Sequence, residues 1–195
     1  MYKEDSIEEF LKKLSSSDSM PGGGVASSLV GANGISLTLM VCNLTIGKEK
    51  YKEYEAQVIG VKEKAEALKE KFLTLMDKDA EEFKRIEKVF AMPNSTDEEK
   101  QNRKEAMQEA CKKCCETPRE MIENVIEGIR LTESIMGKSN KSAASDLEVG
   151  KLLLIAAAKG AWHNIAINLK YIDDEEFVAK QNKYKEIVEN LMSLT

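Results

Sequence analysis

Residues 20–46, MPGGGVASSLVGANGISLTLMVCNLTI, form the stretch that decides the fold. The stretch opens on a proline and three glycines, Pro21–Gly24, and continues as an apolar run from Val25 to Ile46. Because proline fixes φ and glycine opens backbone conformations closed to other residues, this opening predicts a sharp connection. The run behind it is apolar on every side and rich in small residues. This pattern predicts a helix buried in the centre of its fold or between subunits.

The same apolar run is the only candidate for a membrane span in the sequence. Polar groups are costly inside lipid, and here they interrupt the run throughout. They are Ser27, Ser28, Asn33, Ser36, Thr38 and Asn43. We therefore interpret the run as a helix buried in protein and expect no membrane contact. The charged N-terminus, Met1–Asp5, does not resemble a signal peptide, so we expect a cytoplasmic protein with reduced thiols.

The remaining composition favours helix along the whole chain. A length of 195 residues suits one domain, residues 1–195, that buries its own core. Only 3 prolines occur among many Lys, Glu, Ala and Leu, and no strand alternation is visible. A second strongly apolar helix is predicted from Leu147 to Leu169. The sequence thus predicts an all-α bundle of six or seven helices with two central apolar helices.

A long amphipathic helix is predicted from Tyr51 to a point before Pro93. Its apolar residues recur every three or four positions, which is heptad spacing. Seven residues after Phe72 the stripe carries Asp79, where packing asks for an apolar side chain, and it resumes at Phe83. We expect this acid to be partly buried.

Four further positions carry helix-start signals. Three of them have the capping-box pattern of Ser or Thr followed three residues later by Glu. These are Thr96 with Glu99, Thr117 with Glu120, and Ser145 with Glu148. Pro118 favours a helix boundary or a kink between Cys115 and Met121. Asp173 and Asp174 are predicted to start the last helix.

The charge and the cysteines exclude several classes of function. A net charge of -5 argues against a general nucleic-acid binder, because phosphate contacts need clustered Lys and Arg. Cys111, Cys114 and Cys115 share one helical face, but the spacing lacks a second ligand pair for a metal. His163 is the only histidine and is expected to be an interior side chain rather than a catalytic one. We expect no metal.

Several segments together resemble the cyclodeaminase/cyclohydrolase family, which includes the cyclodeaminase domain of formiminotransferase-cyclodeaminase and free-standing bacterial methenyltetrahydrofolate cyclohydrolases. The resemblance covers most of the chain and keeps its order. It rests on Pro21-Gly22-Gly23-Gly24, Asn43-Leu44-Thr45-Ile46-Gly47-Lys48, Asp77-Lys78-Asp79-Ala80 with Phe83, Ser145-Asp146-Leu147, and Asn164-Ile165-Ala166-Ile167-Asn168-Leu169.

The resemblance implies an all-helical bundle that dimerises and binds folate near the subunit interface. It implies hydrolysis of 5,10-methenyltetrahydrofolate to 10-formyltetrahydrofolate, with formiminotetrahydrofolate cyclodeaminase, which releases ammonia, as the alternative. A third interpretation, from another class, is a folate-binding or scaffold protein without catalysis. Departures from the family pattern motivate it: Lys141-Ser142 after Asn140, Glu148 in place of a small residue, and Ala166 where a basic residue is frequent.

The chemistry of the substrate tells which groups such a site needs. Methenyltetrahydrofolate is a cation whose charge is shared between N5 and N10 across one bridging carbon. Both reactions pass through a tetrahedral carbon between these nitrogens. A site for either one needs an anion near the bridge, a proton carrier and a dry pocket for the pterin. Neither reaction needs a metal or a redox cofactor.

The family match and this chemistry select the candidate site residues. Asp79 and Asp146 are the predicted catalytic carboxylates. The alternatives are a structural ion pair for Asp79 and a favourable helix-start charge for Asp146. Asp77 is expected to be a solvated helix acid. The predicted substrate-binding residues are Pro21, Gly22, Gly23, Gly24, Asn43, Lys48, Lys50 and Asn168. The two lysines are the candidates for the substrate tail, with Lys159 as another possible source of charge.

Overall fold

The computed structural model describes residues 1–193, which contain seven α-helices and no strand. The all-α prediction and the predicted number of helices are confirmed. Short 3₁₀ turns lie at Tyr2–Glu4, Glu49–Tyr54 and Lys141–Ala143. The helices are α1 (Ile7–Leu14), α2 (Gly23–Thr45), α3 (Glu55–Phe90), α4 (Asp97–Cys114), α5 (Glu116–Ser134), α6 (Ala144–Leu169) and α7 (Glu175–Met192).

The two apolar helices, α2 and α6, lie antiparallel at the centre of the bundle. Glycines make the close approach possible, because a Cβ added to Gly34 would lie 2.8 Å from the carbonyl oxygen of Gly150. Near the other end, Ser27 Oγ occupies the place where a Cβ on Gly160 would stand. The N-terminus of α2 therefore lies beside the C-terminus of α6. The prediction of two central apolar helices is confirmed.

The long helix α3 packs against the other side of α2. Phe72 is fully buried and fills the space left by Gly31, where a Cβ would lie 2.6 Å from its ring. Ser28 donates its hydroxyl to the carbonyl of Phe72 at 2.7 Å, so a buried polar group of the apolar helix is satisfied by its neighbour. Thr38 shares a similar 2.7 Å bond with Thr132 of α5.

The helix-start predictions hold at two of four positions. Thr96 forms a capping box with Glu99, and Asp174 accepts the backbone N–H of Phe177. The capping box predicted at Thr117 was wrong, because Thr117 already lies inside α5 and has no capping role, but the helix boundary predicted between Cys115 and Met121 is confirmed, since α4 and α5 meet at Cys115. The Ser145 prediction was also wrong. Asn140 caps the preceding 3₁₀ turn, and α6 starts from that turn at Ala144.

The outward faces of α2 and α6 leave apolar side chains exposed. Leu152 is 53% exposed and Ile167 is 49% exposed on α6, and Met40 and Leu44 continue the surface on α2. Both helices are long and apolar enough to cross a membrane by length and composition alone. Only 61% of the most apolar window of α2, and 39% of that of α6, is buried within this chain. We call this exposed surface of α2 and α6 the outer face.

Replacing Gly34 by alanine should destabilise the fold. The new methyl group would meet the Gly150 carbonyl, which is backbone and cannot swing aside, so we expect a loss of roughly 1–3 kcal/mol in the free energy of unfolding. Gly60→Ala is the matched control, since nothing lies within 4 Å of a Cβ there. That helix-interior change should stabilise by about 1 kcal/mol. Urea denaturation followed by circular dichroism measures both, and equal effects would contradict the packing described.

Candidate active site

A cavity of about 400 Å³ opens between the N-terminus of α2, the C-terminal half of α3, α4 and the C-terminal end of α6. Its floor is polar, with two carboxylates and two amides, and its walls are mostly apolar. These polar lining residues are Asp79, Glu82, Asn164 and Asn168, and Ser19 adds a hydroxyl to the lining. Gly22–Gly24 form one edge of it. The cavity thus gathers Asp79, Asn168 and the three glycines, all of which were predicted from the sequence.

The Asp79 carboxylate lies against the first turn of α2. A Cβ on Gly24 would overlap both of its oxygens, so the glycine is what lets the helix start approach the acid. Burial is the main cause that raises the pKa of Asp79 to about 6, and the charge of Glu82 adds to it, while the backbone N–H of Val25 opposes both. The prediction of a partly buried acid in the seam is confirmed. Such a group exchanges protons readily near neutral pH.

Glu82 is a second acid of the cavity and was not among the site residues predicted from the sequence. Thr117 donates its hydroxyl to Glu82 Oε2 at 2.7 Å. Burial raises the pKa of Glu82, and the Thr117 bond and the nearby Lys78 charge lower it. The available signal was its position three residues after Asp79, which places both acids on one face of α3. Charged residues are common along this helix, so this spacing alone does not single out Glu82.

Two side-chain amides of α6 line the cavity. Asn164 donates its side-chain NH₂ to the carbonyl of Gly160 at 2.9 Å, and Asn168 donates to the carbonyl of Asn164 at 2.8 Å. Each NH₂ group thus has one hydrogen bond within the helix, so each amide retains one N–H donor and its Oδ1 acceptor for other partners. Asn164 belongs to the segment that carried the family resemblance, but only Asn168 was named as a candidate.

Apolar and aromatic side chains form the walls and the mouth. Phe90 and Tyr171 stand at the mouth with 57% and 52% of their surfaces exposed. A flat heterocycle entering here meets ring surfaces on α3 and beyond α6. The apolar lining consists of Met20, Phe83, Ile86, Phe90, Met107, Cys111, Cys114, Ile167 and Tyr171.

A groove with several basic residues adjoins this mouth and shares Met107 and Tyr171 with the cavity. One acid, Asp173, lies among its cations and pairs with Lys104 at 2.7 Å. The cations are Lys100, Arg103, Lys104 and Lys170. We call it the basic groove. The basic groove was not predicted from the sequence, because its residues come from two helix ends that are distant along the chain.

Several predicted site residues lie at the opposite end of the bundle. Asn43, Lys48 and Lys50 are exposed at the C-terminal end of α2, and Asp146 is half-buried in the first turn of α6. Asp146 and Asn164 lie roughly 27 Å apart along α6 at its rise per residue. One chain therefore does not bring these four residues to the cavity, and their roles remain predictions. Pro21 is buried beside the glycines and supports the edge without lining it.

The structure also shows the environments of Asp77, His163 and the cysteines, which were considered as candidates in the sequence. The expectation for Asp77 was wrong, because this acid is half-buried and accepts the backbone N–H of Tyr2 at 2.7 Å. The interior placement expected for His163 was also wrong, since the side chain is exposed on α6. Burial raises the pKa of Cys114 to about 12, which keeps the thiol protonated. Within residues 1–193, no group of His, Cys, Asp and Glu is arranged to hold a metal ion.

Comparison with known proteins points to one family. Residues 6–186 match the family model described as formiminotransferase-cyclodeaminase. A methenyltetrahydrofolate cyclohydrolase of Methylorubrum extorquens is 38% identical over 183 residues, which cover 94% of this chain and 88% of that protein. The formimidoyltransferase-cyclodeaminase of Gallus gallus is 29% identical, over 86% of this chain and 31% of that protein.

The fold agrees with the sequence relatives. The crystal structure of formiminotetrahydrofolate cyclodeaminase from Thermotoga maritima superposes with a TM-score of 0.86 at 28% identity. The match covers 99% of this chain and 92% of that one, so the likeness extends to the whole bundle.

Asp79→Asn should stabilise the folded protein at neutral pH. The folded pKa of Asp79 is raised to about 6 from 3.8, so the wild type loses stability as pH rises through this window and the variant does not. At pH 7 we expect the variant to gain roughly 1–3 kcal/mol, and below pH 4 the difference should vanish. Urea denaturation between pH 3.5 and 8 measures this difference, with Asp146→Asn as the control that should gain nothing. A variant that is less stable at pH 7 would contradict the burial described.

Proposed function

Because the chain belongs to the formiminotransferase-cyclodeaminase family, we propose that it hydrolyses 5,10-methenyltetrahydrofolate to 10-formyltetrahydrofolate. The observation that carries the proposal is Asp79, an acid with a pKa of about 6 at the floor of an apolar cavity. The Methylorubrum cyclohydrolase is matched along 88% of its length. The bifunctional relative of Gallus gallus is matched along 31% of its own. The cyclohydrolase is favoured over the cyclodeaminase by its higher identity, 38% against 29% for the Gallus gallus protein and 28% for the Thermotoga maritima cyclodeaminase.

The cavity suits the reacting end of the substrate. The bridging carbon of methenyltetrahydrofolate carries part of a positive charge, and an anion in a dry cavity stabilises such a cation more than water does. Asp79 takes a proton from the attacking water as the new C–O bond forms. It then returns the proton to N5 as the C–N5 bond breaks. No electrons are exchanged, so the proposed reaction needs no redox cofactor.

The residues around Asp79 determine the orientation in which the substrate binds. The pterin ring lies among the aromatic walls, with the side-chain amides of Asn164 and Asn168 as hydrogen-bonding partners for its polar edge. The carboxylates of the glutamate tail then reach the mouth. There the basic groove offers Lys100, Arg103 and Lys170 as partners.

The cyclodeaminase activity is the second candidate, supported by the structural neighbour of that name from Thermotoga maritima. Attack of N10 on a formimino carbon passes through a tetrahedral carbon between the same two nitrogens, so the same carboxylate would act on it. A scaffold without catalysis is the least supported function. Burying Asp79 destabilises its charged form, and a scaffold has no need of such an acid.

We further propose that a second copy of this chain covers the outer face. Its apolar side chains include Val149, Leu152 and Ile167 on α6, which follow one another along a single stripe. Two antiparallel helices of this length form a flat, continuous surface that is self-complementary under a two-fold axis. Charged and polar residues on the same helices, among them Lys159 and Asn33, are better matched to a protein partner than to lipid.

Such a dimer explains why the predicted site residues lie at opposite ends of the helical bundle within one chain. A two-fold axis across the middle of α2 and α6 places the end that carries Asn43, Lys48 and Asp146 beside the cavity of the other chain. Each site is then built from both chains, with Asp79 contributed by one and Asp146 by its partner. The separation within one chain, roughly 27 Å, is spanned by this symmetry.

Asp79→Asn should abolish most of the turnover while the fold and the cavity remain. Loss of a proton-transfer group typically lowers kcat about 10²- to 10⁴-fold. The loss of the near-ultraviolet absorbance of the methenyl compound measures hydrolysis, and ammonia release from the formimino compound measures cyclodeamination. Full turnover in a folded variant would make Asp79 structural. Activity of the wild type on the formimino compound alone would favour the second candidate.

Mixing two inactive variants tests the shared site. Co-expressed Asp79→Asn and Asp146→Asn chains form mixed dimers in which one site carries both changes and the other carries neither. Random pairing should therefore restore about a quarter of the wild-type activity. If each site lies within one chain, the mixture stays inactive, and full activity of Asp146→Asn alone would remove Asp146 from the site.

Leu152→Glu tests the dimer itself, because it puts a charge on the outer face. We expect light scattering to show monomers for this variant.

A further inference from the structure

Glu82 has the geometry of a working group rather than of a packing residue. It lines the same cavity as Asp79, one turn further along α3. The hydroxyl of Thr117 holds its Oε2 at 2.7 Å, which fixes the orientation of the carboxylate and leaves Oε1 as an acceptor. Cys114 lies alongside and donates its thiol to the backbone carbonyl of Glu82 at 3.4 Å. The acid is thus positioned from two neighbouring helices.

The two acids differ in the neighbouring groups that shift their pKa values. Burial raises the pKa of Glu82 and the charge of Glu116 on α5 adds to this, whereas the Thr117 hydroxyl and the Lys78 charge favour its ionised form. Asp79 has no cation bonded to it among residues 1–193, and the charge of Glu82 helps to raise its pKa. Cys111 and Cys114 of α4 and the N-terminal turn of α2 also face the pair, and Arg85 of α3 acts on the Cys114 thiol. Asn164 and Asn168 of α6 face it without charge.

We propose, on the basis of the proposed cyclohydrolase function, that Glu82 is the anionic member of a catalytic carboxylate pair. Glu82 remains ionised against the cationic one-carbon bridge, and Asp79 carries the mobile proton. The two acids divide the work, because one carboxylate cannot remain charged beside the cation and hold the proton at the same moment.

The steps balance with this division. Water adds to the bridging carbon and gives one proton to Asp79, which leaves a neutral tetrahedral alcohol. Asp79 then delivers that proton to N5 while the C–N5 bond breaks. The remaining hydroxyl loses its proton to solvent as the formyl C=O forms. One cation and one water thus give the neutral formyl compound and one proton, and Glu82 keeps its charge throughout.

Glu82→Gln tests the pair, since the amide keeps the shape and a partner for Thr117 but removes the charge. The first measurement is a titration of the Asp79 carboxyl by carbon-13 NMR without substrate. We expect its pKa to fall below the wild-type value of about 6, because the neighbouring charge that raises it is gone. Glu81→Gln is the matched control: Glu81 is exposed, pairs with Lys84 at 2.6 Å, and should leave the titration unchanged.

Ligand selectivity supplies the second measurement. The KM for the cationic methenyl substrate should rise about tenfold in Glu82→Gln, while the Kd for neutral tetrahydrofolate changes less than about twofold. Glu82→Asp should recover part of the selectivity, because it restores the charge. Equal weakening of both ligands would show a structural role and overturn the proposal. If the wild type turns over substrate and the pKa of Asp79 is the same in Glu82→Gln as in the wild type, the carboxylate pair is also overturned. If the wild type shows no turnover, the proposed function itself fails.

Discussion

The close approach of α2 and α6 is the constraint on which the rest of the structure depends. Gly34 and Gly150 let the two backbones meet without side chains between them, and this contact fixes the antiparallel pairing along the whole length of both helices. The start of α2 is thereby held beside the end of α6, where α3 and α4 close the cavity around them. The position of the site follows from packing in the middle of the bundle.

A second consequence of this packing is the environment of Asp79. An acid inside a helical seam costs free energy unless it is paired with a cation, and the bundle supplies a helix start and an amide-rich floor instead. The carboxylate is consequently held between its charged and neutral forms. We interpret this unfavourable burial as the cost of catalytic competence, since an apolar residue at the same heptad position would pack better.

The sequence predicted correctly those features of the fold and the site that local patterns determine. The all-round apolar helix, the acid at a heptad position and the glycines before α2 all follow from local rules, and the structure confirms each of these placements. Two of the predicted caps were wrong because other contacts determine where these helices start. Thr117 donates its hydroxyl to Glu82, and Asn140 caps the 3₁₀ turn from which α6 begins.

Distance in space was the part that the sequence did not reveal. Asn43 and Asp146 were grouped with Asp79 on family resemblance, yet one chain holds them at opposite ends. The basic groove was missed for the converse reason, since the residues that form it are separated along the chain. Such relations depend on the direction in which helices pack, and no periodicity in a single segment encodes that direction.

The spacing between Asp79 and Glu82 has a different origin from the rest of the site. They are one turn apart on α3, so the covalent geometry of a single helix sets their separation. Shifts of α4 or α6 alter what surrounds the pair but leave the interval within it intact. Substitutions that reshape the walls for another ligand can therefore accumulate without disturbing the coupling of the two acids. Ligand preference and proton chemistry are separable properties of this architecture.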